Sequence, residues 1–105
     1  MALKVYGESL EVIRRLRLVV VEIARHDADL GKQMRRALTS VPLNIAEGEH
    51  RRNGNARARF DTAMGSADEV RACLETAEAW GYVSELGAER DLLEKIARTL
   101  SNLVH

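Results

Sequence analysis

One proline, one cysteine and 4% aromatic residues are all that this 105-residue chain holds of the residues that often shape small folds. The lone cysteine, Cys73, excludes an internal disulfide, and a reducing cytoplasm is the simple reading. With so few aromatics, the apolar 46% is mostly Leu, Val, Ile and Ala, the residues of packed helices. Scarce proline beside abundant Ala, Leu, Glu and Arg argues against a sheet protein. Net charge is also absent: 16 basic side chains balance 16 acidic ones, which argues against a uniformly basic nucleic-acid binder. The most apolar run, "LRLVVVEIA", is broken by Arg17 and Glu22 and follows Arg14 and Arg15. It is too short to cross a bilayer, and no small-residue cleavage site follows. The chain reads as soluble, with no targeting segment and no membrane partner.

What is present is helical periodicity, and residues 1–105 read as one domain. The first helix runs from about Leu3 to about His26, with Val5, Val12, Leu16, Val19, Val20 and Ile23 on one face. Asp27 and Asp29 offer caps for the next start. The second helix runs from about Leu30 to about Arg52, carrying Leu30, Met34, Leu38, Val41 and Ile45. Asn53-Gly54 stops it, and Asn55 is expected to cap the third. That helix places Phe60, Ala63, Met64, Ala67, Val70, Leu74 and Ala77 inward and ends at Trp80-Gly81. Ser84 is the expected cap of the fourth, whose stripe is Leu86, Leu93, Ile96, Ala97, Leu100, Leu103 and Val104. Short connections between long helices predict an all-α, antiparallel up-down-up-down four-helix bundle.

The charges are segregated. Lys32, Arg35, Arg36, Arg51, Arg52, Arg57 and Arg59 dominate residues 32–59, whereas residues 61–94 are mostly acidic. Such segments can be complementary faces within one chain or between subunits. The first helix also has apolar residues off its main stripe, at Leu10, Ile13 and Leu18. Surplus apolar surface with opposed charged rims predicts head-to-tail self-association, which closes into a ring when the rotation permits. The cationic stripe is then expected at the subunit boundary or the ring's central opening. The competing role for these cations is contact with phosphates of RNA or DNA. No aromatic residue interleaves with them, so base stacking is not indicated.

The stretch "SVPLNIAEG", residues 40–48, is the least helix-friendly part of the chain. Pro42 removes a backbone donor and crowds the Leu38 carbonyl, at a cost of ~3 kcal/mol in a plain helix interior. The apolar spacing continues on both sides, so a helix kinked at Pro42 is expected rather than a break. Thr39 and Ser40 are the local candidates to offset the lost bond. Folding back about Gly54 sets Asn44 near Gly65-Ser66 and Ser40 near Glu69, so the polar residues satisfy one another. Gly65 is expected at a tight helix contact, which would make Gly65→Leu severely destabilising.

Other chemistry finds little support. Glu47 and His50 have the i, i+3 spacing of a di-metal ligand pair, but no second Glu-x-x-His exists, and His26 and His105 have no partner. Cys73 falls on the core side of its helix with no histidine near in sequence. Ser40 and Ser66 lack a base with an orienting group, and there is no glycine-rich phosphate loop. No catalytic, metal or cofactor site is assigned.

"LGKQMRRALTSVPLNIAEG" followed by "RRNGNARARFDTAMGSADEVRACLETAEAWGYV" closely resembles the 23S ribosomal RNA intervening-sequence proteins. The shared pattern falls on Gln33, Arg35, Arg36 and Ala37. It continues on Ser40, Pro42, Asn44, Ile45, Ala46, Glu47 and Gly48. It resumes on Gly65, Ser66 and Glu69, then on Gly81 and Tyr82. The resemblance spans essentially the whole chain. Val41 stands where isoleucine is usual, and Asn53-Gly54-Asn55 where serine and lysine are common. The resemblance implies an antiparallel four-helix bundle and assembly into ring-like homopentamers, while the residues themselves give an enzyme no support. Some genes of the family lie within ribosomal RNA genes, which implies a nucleic-acid-associated accessory or adaptor role. A protein-interaction scaffold without nucleic acid is the alternative. The accessory variability determinants of diversity-generating retroelements are similar, and imply a reverse transcriptase as a further kind of partner. Those proteins are strongly basic, unlike this neutral chain.

Overall fold

Asp27 is the whole connection between the first two helices. A computed structural model describes residues 3–50 and 54–104. In it, α1 (Lys4–His26) ends where α2 (Ala28–Glu49) begins. The Asp27 N–H donates to the Ile23 carbonyl at 2.8 Å, and its carboxylate accepts from the Leu30 N–H at 3.0 Å. One residue therefore satisfies two helix ends, because its extended backbone frees the side chain to fold over the next turn. Asp29 lies inside the first turn of α2, where a carboxylate favours the helix dipole.

The other two helices follow the same logic less tightly. α3 (Gly54–Trp80) starts one residue before Asn55, so Asn55 is within the helix and does not cap it. The Asn53 part of the expected stop lies outside the described residues, as do Arg51 and Arg52. At its other end α3 closes as expected on Gly81, whose φ of 80° only glycine adopts freely. The Gly81 N–H donates to the Glu78 carbonyl and the Tyr82 N–H to the Ala77 carbonyl, a Schellman closure. α4 (Gly87–Val104) starts three residues after Ser84, so Ser84 is not its cap. The Glu78 carboxylate fixes the approach instead, accepting the Leu86 N–H at 3.2 Å.

The four helices form one all-α bundle, with no strand among the described residues. Its extents are 43 × 23 × 21 Å. Each helix packs against the one before and after it in sequence, and α1 also meets α4. Val12, Leu16, Ile23, Met34, Ile45, Leu74, Leu93 and Leu100 are completely enclosed, so the apolar stripes of all four helices meet. Leu103 departs from its expected place: it is 40% exposed near the end of α4. Ser9 is the buried polar side chain of the core, and its hydroxyl donates to the Tyr6 carbonyl at 2.6 Å. Lys95 of α4 pairs with Glu8 of α1 at 2.8 Å, which ties the first and last helices.

α2 is continuous through Pro42, which is buried. Its closest approaches lie elsewhere, at two glycines. A β-carbon on Gly31 would sit 2.7 Å from the Ala24 β-carbon and 2.8 Å from its α-carbon. One on Gly48 would meet the Phe60 ring at 2.6 Å. Gly65 is the reverse of the expectation: it is exposed, and an added β-carbon meets nothing within 4 Å. Gly65 is therefore not at a tight helix contact, and a side chain there points into open space without a severe cost.

These glycines give opposite predictions for one substitution. Gly31→Ala presses on main-chain atoms of α1 and should cost about 1–3 kcal/mol. Gly65→Ala removes a flexible residue from an open helix surface and should stabilise by about 0.4–1 kcal/mol. Thermal unfolding of both variants checks this; equal shifts of the same sign would contradict it.

Candidate subunit and nucleic-acid interface

The polar residues of the proline stretch find each other across α2 and α3. The Ser40 and Ser66 hydroxyls lie 2.8 Å apart. Asn44 donates its amide to the Ser40 carbonyl at 2.9 Å and to the Ser40 hydroxyl at 3.0 Å. The Arg59 guanidinium donates to the side-chain Oδ1 of Asn44 at 3.5 Å. One turn earlier, the Thr39 hydroxyl donates to the Arg35 carbonyl. The helix around Pro42 is thus braced by side chains, and the pairs are offset from the expected register. Ser40 meets Ser66 rather than Glu69, and Glu69 instead accepts from Gln33 at 3.2 Å. Glu47 is half-buried in the last turn of α2, and Gly48 is the seat of Phe60.

Lys32, Arg35 and Arg36 lie on the face of α2 away from its buried stripe. All three are exposed, and among the described residues none forms an ion pair. They line a groove of about 510 Å³ with Thr39, Ser40, Leu43 and Asn44. Arg59 joins this face through Asn44, whereas Arg57 is exposed nearer the start of α3. The acidic half behaves differently. Glu75, Glu78 and Glu85 all converge on Arg90, and Arg71 bridges Asp68 and Glu94. Charge complementarity is therefore partly settled within α3 and α4, while the α2 cations are left for something else.

A second groove, of about 620 Å³, runs between α1 and α2. Its apolar walls include Ile13, Val20, Val21, Ala24 and Leu38, and Gly31 is on its floor. Arg17, Lys32 and Arg35 also line it. Beside it Leu18 is 74% exposed and Val21 50%. Leu18 and Ile13 were marked by the periodicity as surplus; Ile13 is partly packed on the core and Leu10 is half-buried. Arg17, Val21, Leu43 and Trp80 were not marked. The first could have been found from the spacing Ile13, Arg17, Val20/Val21, Ala24, a second helical face. Leu43 and Trp80 carry no such signal, being single apolar residues on polar faces.

The family model described as 23S rRNA-intervening sequence protein matches residues 1–104. The chain belongs to this family. No curated protein and no solved structure matches it. Membership fixes a small helical protein. The link to the retroelement determinants stays an expectation from resemblance. No helix among the described residues is long and apolar enough to cross a membrane, and the same residues hold no metal-ligand cluster.

Cys73 is buried in the α3 core face. Burial pushes its thiol up from the ordinary value, and the nearby Glu69 charge adds to this. A thiol raised in the folded state contributes stability below the unfolded thiol's pKa and loses it as pH rises past that point. Folded protein at pH 8 should therefore react with an aromatic disulfide reagent far more slowly than protein unfolded in guanidinium. Equal rates would show that Cys73 is exposed to reagent.

Proposed function

We propose that this chain is a non-enzymatic, self-assembling accessory protein that holds nucleic-acid phosphates on the outward face of α2. The observation that carries it is the set of unpaired cations Lys32, Arg35 and Arg36 beside hydroxyl and amide groups of Thr39, Ser40 and Asn44. Guanidinium and ammonium donors suit phosphate oxygens, and their contact carries no base sequence. A non-catalytic role is supported by the state of three side chains that could act as nucleophiles. The Ser40 and Ser66 hydroxyls face each other, and Cys73 is enclosed with a raised pKa. The cytoplasm suits a chain whose single thiol needs no partner.

The α1/α2 groove favours the second part of the reading, a contact between copies. Five is the number of copies suggested by the rings of similar proteins. The partner is then a structured RNA, a DNA duplex or a nucleoprotein enzyme such as a reverse transcriptase. Without nucleic acid, the same assembly is a protein-interaction scaffold.

Anisotropy of labelled structured RNA and duplex DNA between 50 and 200 mM salt tests the phosphate reading. Two to three neutralised phosphates per chain should weaken duplex binding roughly 10- to 40-fold over that range. Arg35→Glu with Arg36→Glu should abolish it, while Arg14→Glu, whose side chain already pairs with Glu11, should change it little. Absence of salt-dependent binding in the unaltered protein would leave only the scaffold.

A further inference from the structure

Trp80 is the chain's one tryptophan, and it is 69% exposed at the last residue of α3. Its ring does not lie loose. It stacks at 11° on Tyr82, which stacks in turn at 6° on His26 with centroids 4.9 Å apart. The Schellman closure at Gly81 fixes the backbone beneath it. A large, pre-oriented aromatic left in water is the type of residue that dominates binding energy at interfaces.

Its surroundings are acidic. Glu75, Glu78 and Glu85 share a single guanidinium, that of Arg90, so the surface retains negative charge. The Glu85 side chain is 82% exposed. The α1/α2 groove has the complementary character: apolar walls, with Arg17, Lys32 and Arg35 along it, unpaired among the described residues. Both features lie toward the same end of the bundle, since His26 closes α1 against Tyr82 and Gly31 packs on Ala24. They belong to different helix pairs, α3/α4 and α1/α2.

We propose that Trp80 of one copy inserts into the α1/α2 groove of the next, with its acidic surroundings meeting Arg17 on the α1 wall, which leaves the α2 cations to face outward. This rests on the reading that copies of the chain associate. Knob and socket are different surfaces of the same chain, so the contact is head-to-tail and each copy can give one and receive one. Burying the indole beside Val20 and Val21 removes apolar surface from water on both sides, and arginine beside an indole face adds a cation–π attraction. The second copy is preferred as occupant because the chain itself supplies the aromatic, the opposite charge and the exposed position.

Two variants of the full chain test this, each checked for helix content by circular dichroism. Trp80→Ala keeps the groove and lacks the knob. Val21→Asp, at a half-exposed position of the groove wall, keeps the knob and blocks the groove. In sedimentation velocity at micromolar protein the unaltered chain should assemble and each variant alone should be monomeric. An equimolar mixture should form a one-to-one complex and nothing larger, because only one knob–socket pair remains. The tryptophan emission of the unaltered chain should shift to the blue as assembly rises with concentration. An unaltered chain that is monomeric throughout overturns the association itself, and the proposal with it. An assembly that persists in Trp80→Ala, or forms with no emission shift, overturns this contact alone and leaves association through other surfaces.

Discussion

α2 touches its neighbours most closely where it has no side chain. Gly31 lets it meet the main chain of α1 at Ala24, and Gly48 receives the ring of Phe60 from α3. The two glycines lie near opposite ends of the helix, so α2 is clamped to a different partner at each end. Between them Met34, Leu38, Val41 and Ile45 fill the core. The rotation of α2 about its axis follows from these contacts, and with it the direction of every other α2 residue. Lys32, Arg35 and Arg36 point to water because the glycine-to-glycine stripe points inward.

Pro42 lies on that inward stripe. A proline there withholds a donor from the Leu38 carbonyl, and the cost in a helix interior is about 3 kcal/mol. The surrounding polar groups are not evidence of catalysis. They form a brace, Ser66–Ser40–Asn44–Arg59, that joins α2 to α3 alongside the proline. Buried or half-buried polar groups that satisfy one another add specificity to a bundle otherwise held by interchangeable aliphatic side chains. The brace also engages Arg59, which distinguishes it from the unpaired cations of α2.

The helices and their inward faces were legible because apolar residues recur at spacings of three and four in each, although the contrast between faces is weak in the alanine-rich α3. Cys73 in the core, Asp27 as a cap and Gly81 as a stop could be read for the same reason. The role of Gly65 was misread although the pattern held the answer. Ala63 and Ala67 are both buried, and Gly65 lies two residues, about 200°, from each. Gly31 and Gly48 continue the α2 stripe at spacings of three from Met34 and Ile45, so the close contacts were written there instead. The cap errors at Asn55 and Ser84 differ in kind, since a carboxylate eight residues before Leu86 positions the start of α4. The candidate site was half legible. Its cations were evident, but the α1/α2 groove and Trp80 depend on how the helices are set against one another.

α2 is one element, clamped at both ends and continuous through Pro42. Native-state amide hydrogen exchange measures this directly. The amides of Leu38, Val41, Ile45 and Gly48 should exchange with similar opening free energies, close to that of global unfolding, since no local opening can free one half of α2 without breaking a glycine contact. If the amides after Pro42 instead exchange through a much cheaper local opening while those before it stay protected, α2 is two segments, and its clamped orientation cannot be what directs the cationic face outward.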